Sequence, residues 1–270
     1  FSSGTSQSER SQHYLSQREL ELYELSLWKS FSKAFKLPRK VACFTLTENP
    51  SEKPNSSLIH MFEAVKEKAN FVQHGYFMHD GKLQLNSLIE RLNEIVELQL
   101  PVLIVGTAFA FVQLIDLAPQ SFKLPDGSAI METGGFKGKS REIGKNELYA
   151  SLGELFGLPR QNLAGQYGIS ELGVQFYDSS FLLNSDSPEA RYKIAPNWAR
   201  TRIVDPSDLL RDVKVGEIGL LCHYDLTNID SCAFILSGDL GLKRGENSFE
   251  LIGRAAELSA KGCSLNYELL

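Results

Sequence analysis

The sequence predicts an α/β protein whose last third is rich in β-strands. Apolar residues at helical spacing alternate with short apolar runs through the first two-thirds of the chain. Short strands set off by Gly, Asp and Pro turns fill the rest. The composition is that of a globular chain: of 270 residues, 43% are apolar and 23% charged. Those values exclude wholesale disorder, collagen-like repeats and coiled coil.

The first helix is expected over Ser16 to Phe35, where Leu20, Leu25, Leu27, Trp28 and Phe31 supply one face and Glu19, Glu21, Glu24 and Lys29 the other. Val41 to Leu46 has strand length, and a Pro/Asn/Ser loop leads from it to a helix from about Ser57 to Ala69. Leu83 to Leu98 gives the clearest helix, with Leu85, Leu88, Ile89, Leu92, Ile95 and Val96 at three- and four-residue steps before Pro101. Val102 to Val105 reads as a buried strand entering a Gly-Thr turn and an apolar helix, whose residues Leu103 to Phe111 read as core. Ala129 onward is a strand that breaks into glycines, Lys145 to Phe156 a helix, and Asn162 to Ala164 a strand. Beyond it, Arg202–Val204, Gly219–Cys222, Ala233–Leu236 and Phe249–Ile252 are short strands. The expected organisation is an α/β core over 1–200, a β-rich part of the same core over 201–253 and a tail over 254–270. Phe1 opens directly into a Ser/Gly/Thr turn, so the core is expected to be incomplete at this N-terminus.

Net charge is −5, from 28 basic and 33 acidic residues, which argues against a nucleic-acid partner held by bulk electrostatics. No apolar run reaches the roughly 18 residues a membrane span needs, and no secretory signal opens the chain. A soluble, cytoplasmic protein is expected. Cys43, Cys222, Cys232 and Cys263 form no CxxC pair, so neither a disulfide framework nor a zinc site is indicated. Buried thiols are the plain reading of the first three. His74 and His79 do not share a helix face and make a poor metal pair, while His13, His60 and His223 are isolated.

Five segments can carry chemistry. In Phe1-Ser-Ser-Gly-Thr-Ser, Gly4 lets backbone approach an anion, and Ser2, Ser3, Thr5 and Ser6 offer donors to phosphate oxygens. No Walker sequence is present. Thr133-Gly-Gly-Phe-Lys-Gly-Lys follows a strand with two glycines, open to a planar ligand. Gln166-Tyr-Gly-Ile-Ser-Glu places an aromatic ring, a hydroxyl and a hard-oxygen ligand for Mg²⁺ within five residues. Ser237-Gly-Asp sets a carboxylate at a strand end, suited to two ribose hydroxyls. Gly253-Arg254 and a later Lys261-Gly262-Cys263 close the series.

Each segment has an ordinary turn or loop as its alternative, but their order resembles the adenylate-forming enzymes. The wording METGGFKGKSRE, QYGISELGVQFYD and GRAAELSAKGCSL narrows the resemblance to the fatty acyl-protein synthetases of bacterial bioluminescence (LuxE-type), near the phenylacetate-CoA ligase branch. The resemblance runs from Ser2 to Cys263. It implies an adenylate-forming fold in which Mg-ATP and a carboxylic acid, a long-chain fatty acid above all, give an acyl-adenylate whose acyl group passes to a thiol.

On the matching positions, the resemblance implies that Ser2, Ser3, Gly4, Thr5 and Ser6 cradle the outer phosphates. Gly134 and Gly135 would lie along the adenine, Tyr167 stack on it, Ser170 contact the α-phosphate and Glu171 ligate Mg²⁺. Asp239 would bind the ribose, Arg254 approach ribose or phosphate, and Cys263 accept the acyl group. Lys261 could lower the Cys263 thiol pKa, and Gly262 gives its backbone freedom. The loop departs from the pattern in lacking the usual Gly-then-Lys, with Arg10 as a substitute cation. An acyl reductase or acyl carrier is the partner implied by analogy. Two alternatives remain at this stage: an acyl- or aryl-CoA ligase, and a catalytically silent nucleotide-binding module.

Overall fold

A computed structural model describes residues 13–134, 143–179 and 191–255. Helix α1 spans Gln17–Ala34 and is capped reciprocally, Ser16 Oγ accepting from the Glu19 N–H while the Glu19 carboxylate accepts from the Ser16 N–H. Its inward stripe includes Tyr23, Leu27, Phe31 and Ala34. Strand β1 (Ala42–Leu46) and helix α2 (Ser57–Ala69) follow as the apolar pattern predicts. The next three strands, β2 (Gln73–Tyr76), β3 (Met78–His79) and β4 (Lys82–Leu83), carry no such pattern. Edge pairing of the backbone defines β2, and a two-stranded hairpin defines the others. Because Leu83 pairs in that hairpin, helix α3 runs Leu85–Glu97 rather than starting at Leu83.

The core continues with β5 (Val102–Thr107), α4 (Ala108–Leu117), β6 (Ala129–Thr133), α5 (Lys145–Phe156), β7 (Leu163–Tyr167) and β8 (Phe176–Tyr177). Residues Arg160–Asn162 form a 3-10 turn, so β7 begins one residue later than expected. The sheet order is β2-β1-β5-β6-β7-β8, parallel as far as β7, with β8 antiparallel to it. Helices cover both faces, which is why β1 and β6 are buried at every position. Leu88, Leu92, Phe111, Leu152 and Phe156 pack with Phe44, Ile104 and Ile130 on one face. Leu27, Phe31, Met61 and Val65 pack with Cys43, Leu103 and Met131 on the other. Each such side chain contributes about 1.5–3 kcal/mol on burial.

The second sheet is antiparallel: β9 (Lys193–Ile194), β10 (Ala199–Asp205), β11 (Asp208–Asp212), β12 (Ile218–Asp225), β13 (Phe234–Gly245) and β14 (Ser248–Arg254), in the order β11-β10-β12-β13-β14-β9. Strand β11 reads Asp-Leu-Leu-Arg-Asp and is exposed throughout, so only its pairing with β10 reveals it. Phe249, Leu221 and Ile203 cover Tyr167 and Phe176 and so join the sheets through a third apolar cluster.

The seam between the sheets is ionic as well as apolar. Asp178, just past β8, bridges to Lys193 of β9. Lys193 Nζ donates to Asp178 Oδ1 at 2.7 Å and to the Gly165 carbonyl at 2.5 Å, while the Gly165 N–H donates to Asp178 Oδ2 at 2.6 Å. Arg191 adds a bond to the same oxygen at 3.2 Å. Burial alone would raise the Asp178 carboxyl; Lys193, Lys145 and the Gly165 N–H outweigh it and hold the group below the ordinary aspartate range. Burial, partly opposed by Asp178, brings the Lys193 ammonium down to about 8.

The cysteines depart from a uniform buried reading. Cys43 is buried, and desolvation pushes its thiol up to about 12. Cys222 is half-buried, and Cys232 is exposed at the turn into β13, with its thiol donating to the Phe234 carbonyl. Among the described residues, no helix is long and apolar enough to cross a membrane.

Candidate functional site

Open α/β sheets take ligands at the carboxyl ends of their parallel strands. Here β6 ends at Thr133 and β7, beside it, at Tyr167. After Thr133 the backbone turns left-handed at Gly134 (φ 71°), a conformation glycine adopts without cost. Thr133 Oγ1 donates to Gln166 Oε1, and Gln166 Nε2 donates to Gln175 Oε1, a buried polar ladder across the strand ends. Gly168 is the glycine that this ladder requires. A Cβ there would lie 2.5 Å from Gln175 Oε1 and 2.9 Å from Gln166 Nε2.

The loop leaving β7 is fastened along its length. Asp225 Oδ2 accepts from the N–H groups of Gly173 and Val174 at 2.8 and 2.9 Å, while its other oxygen accepts from the Thr227 N–H and hydroxyl. Asn228 Nδ2 donates to the Glu171 carbonyl at 2.6 Å. Ser170 Oγ lies 3.0 Å from Ser57 Oγ, at the first residue of α2. The Ser170–Glu171 pair is thus held between the second sheet and a helix N-terminus.

Across from this loop stands Asp239. The register of β13 and β14 sets it directly opposite Arg254, and Arg254 Nε lies 3.2 Å from Asp239 Oδ1. Tyr167 donates its hydroxyl to Asp239 Oδ2 at 2.9 Å. Ser237 Oγ donates to the Leu221 carbonyl and accepts from the Asp239 N–H, which ties the strand end down. A carboxylate has about four acceptor positions. Among the described residues Tyr167 donates to one oxygen and Arg254 pairs with the other, which leaves room for two more hydrogen bonds from a ligand. The ring of Tyr167 is buried against Phe176, Phe249 and His223.

Of the residues that the sequence singles out, Tyr167, Asp239 and Arg254 are in direct contact. Ser170 and Glu171 follow Tyr167 on its loop, and Gly134 ends the adjacent strand. Ser2, Ser3, Gly4, Thr5, Ser6, Gly135 and Cys263 lie outside the described residues. His79 contacts Glu52 and Asp80 at an exposed position that excludes His74.

His223 is the residue that the sequence reading passed over as isolated. It is fully buried, with Nδ1 3.0 Å from Thr201 Oγ1 and Nε2 3.3 Å from the Tyr167 hydroxyl. The alternation of β12 contained the signal, since Gly219, Leu221, His223 and Asp225 share its buried face. Burial lowers the imidazole from its ordinary value to about 4, so the folded chain holds it neutral. The unfolded chain binds the extra proton between about pH 4 and 6.5. Stability is therefore full above pH 6.5, falls as the pH drops towards 4 and levels off below it. The expected loss from this group is about 3 kcal/mol. Urea titrations from pH 4 to 7 should show that slope, and His223→Gln should flatten it.

A parallel sheet with helices on both faces, an antiparallel sheet closing over its strand ends, and an aspartate–arginine pair at the junction define an adenylate-forming ligase fold. The chain superposes on a long-chain-fatty-acid-CoA ligase from Archaeoglobus fulgidus with a TM-score of 0.60 at 13% identity, covering 92% of this chain and 50% of that one. It superposes on the R395G form of coronafacic acid ligase from Pectobacterium brasiliense with a TM-score of 0.59 at 16% identity, covering 89% and 44%. An O-succinylbenzoate coenzyme A synthetase from Bacillus subtilis, in complex with ATP and magnesium ion, gives 0.56 at 13% identity, covering 87% and 46%. Within that class the chain belongs to the family described as acyl-protein synthetase, LuxE, whose model matches residues 29–269. It is 23% identical over 204 residues to the long-chain-fatty-acid–luciferin-component ligase of Aliivibrio fischeri, covering 71% of this chain and 51% of that protein. The chain spans about half the length of the relatives it matches.

Proposed function

We propose that this chain activates a carboxylic acid, a long-chain fatty acid above all, as its acyl-adenylate and passes the acyl group to a thiol, its own Cys263. The Asp239 constellation carries the reading: a buried carboxylate, oriented by Tyr167 and Arg254, with acceptor capacity left for two ribose hydroxyls. Family membership and the ligase fold support it from a separate direction.

The chemistry asks little of acid–base groups. A carboxylate oxygen bonds to the α-phosphorus of ATP as pyrophosphate leaves. A thiolate then attacks the acyl carbonyl, the C–S bond forms and AMP departs. The protein's task is placement and charge neutralisation. Asp239 fixes the ribose and Arg254 neutralises charge near it. Gly134 with Gly135 and the Tyr167 segment border the adenine, while Ser170 contacts the α-phosphate. Ser2, Ser3, Gly4, Thr5 and Ser6 hold the outer phosphates. Glu171 would hold Mg²⁺, which supplies further neutralisation when bound. The thiol assignment gains support from Cys43, which is buried and kept protonated, and so cannot act as the acceptor.

Intact-mass spectrometry after incubation with Mg-ATP and a pool of fatty and aromatic acids tests the reading. The expected product is a hydroxylamine-labile acyl adduct on Cys263, absent from Cys263→Ala and distinct by peptide mapping from exposed Cys232. Hydroxamate formed without an adduct would retain the adenylating activity and reject Cys263 as acceptor. Absence of both products, with no exchange of pyrophosphate into ATP, would reject the activity of this chain.

A further inference from the structure

We infer that His223 is a positioning residue for nucleotide binding, acting through a directed hydrogen-bond relay, Thr201 to His223 to Tyr167 to Asp239, that aims the Asp239 carboxylate at its ligand. The inference rests on the assignment of Asp239 to the ribose.

The direction of the relay follows from its ends. Asp239 sits beside Arg254 and can only accept while ionised, so the Tyr167 hydroxyl spends its proton on Oδ2. The Tyr167 oxygen is then an acceptor towards His223, and Nε2 must carry the imidazole hydrogen. Nδ1 is left as an acceptor, which Thr201 Oγ1 fills as donor. A single neutral tautomer satisfies every contact, in keeping with the complete burial of the ring. Protonation would turn Nδ1 into a donor and reverse the bond to Thr201, whose hydroxyl would then accept.

The relay also has a rigid frame. His223 lies between Tyr167, Phe176 and Phe249, with ring centroids 5.8, 5.3 and 6.1 Å away. Thr201 and His223 are register partners on β10 and β12, and Asp239 stands on the next strand, β13. Side chains from two adjacent strands, His223 and Asp239, thus meet Tyr167 from the parallel sheet, and Thr201 on a third strand backs His223. Packing alone would accept phenylalanine at 223. The two nitrogen contacts are what an apolar ring cannot supply, and without them the Tyr167 hydroxyl loses the donor that His223 provides, leaving Ser237 beside it. A Tyr167 hydroxyl free to rotate weakens its hold on Oδ2, and the carboxylate is less well aimed.

The test measures ATP–pyrophosphate exchange and equilibrium binding of ATP and of 2′-deoxy-ATP with wild type, His223→Phe, His223→Gln and Thr201→Val. His223→Phe is expected to raise the KM for ATP about five- to tenfold, in line with one lost hydrogen bond, and to leave kcat within about twofold. Binding of 2′-deoxy-ATP should weaken less than that of ATP, because the relay acts through the ribose. His223→Gln, which keeps a donor, should recover part of the loss, and Thr201→Val should give a smaller change in the same sense. In an Asp239→Ala background, which removes the relay's end point, His223→Phe should add nothing. Binding and preference for ATP over 2′-deoxy-ATP unchanged in a folded His223→Phe would overturn the relay while leaving the nucleotide site intact. Wild type that neither binds nor exchanges nucleotide would overturn the ribose assignment and the relay with it. Loss of folding in His223→Phe leaves Thr201→Val, at the relay's far end, to decide the matter by the same ratio.

Discussion

Replacing Asp239 by alanine is expected to weaken ATP binding roughly a hundredfold or more. A carboxylate that takes two ribose hydroxyls makes two charge-assisted hydrogen bonds, each worth about 1.5–3 kcal/mol, and about 1.4 kcal/mol is a factor of ten. The substitution also strands two groups. Tyr167 loses the acceptor 2.9 Å from its hydroxyl, and Arg254 loses the carboxylate 3.2 Å from Nε. Asp239→Asn keeps the shape and one acceptor, so it should fall between wild type and alanine. Isothermal titration with ATP, alongside pyrophosphate exchange, provides the measurement. A folded Asp239→Ala protein that binds ATP within threefold of wild type would remove Asp239 from the site.

The second large effect concerns stability. Asp178→Ala should cost about 3–5 kcal/mol, the usual result of removing one partner from a buried pair. The carboxylate and the Lys193 ammonium are both essentially without solvent exposure. Deleting the acid leaves the lysine, among the described residues, the Gly165 carbonyl as hydrogen-bond acceptor and the more distant Glu132 charge, and frees Arg191 of its contact with Asp178. At the scale of a chain this size, the loss corresponds to a melting temperature about 10 °C lower. Replacing both partners with apolar residues, Asp178→Leu with Lys193→Met, should recover part of it, because the lysine charge is removed together with the acid while Arg191 still loses its ionic contact. A single alanine variant that melts within 2 °C of wild type would show that the seam is held by its apolar contacts alone. The pair joins the two sheets, so its loss should also loosen the strand ends that carry Tyr167.

Both predictions draw on contacts between residues distant in the chain. Tyr167 and Asp239 are 72 positions apart, Tyr167 and His223 56, and Ser57 and Ser170 113. Sequence motifs nominate Tyr167 and Asp239 separately, each as a residue next to glycine. The direct bond between them comes from closure of one sheet over the ends of the other. His223 has no motif of its own. A histidine on an alternating strand can face water or core, and only the phase of β12 against the third apolar cluster turns it inward.

What the sequence determined alone was local structure and ordered chemistry. Helical spacing in α1 and α3 and continuous apolar runs in β1 and β5 follow from interactions within a few residues, so the pattern is readable in one dimension. The series of glycine, YGxSE and SGD segments is readable for the same reason. Tertiary structure alone decided the polar edge strands β2 and β11, the ion pair at the seam, and the partners of His223. Their cause is pairing across strands, where a backbone hydrogen bond or a buried charge selects residues by register and depth. No spacing along the chain encodes those two quantities.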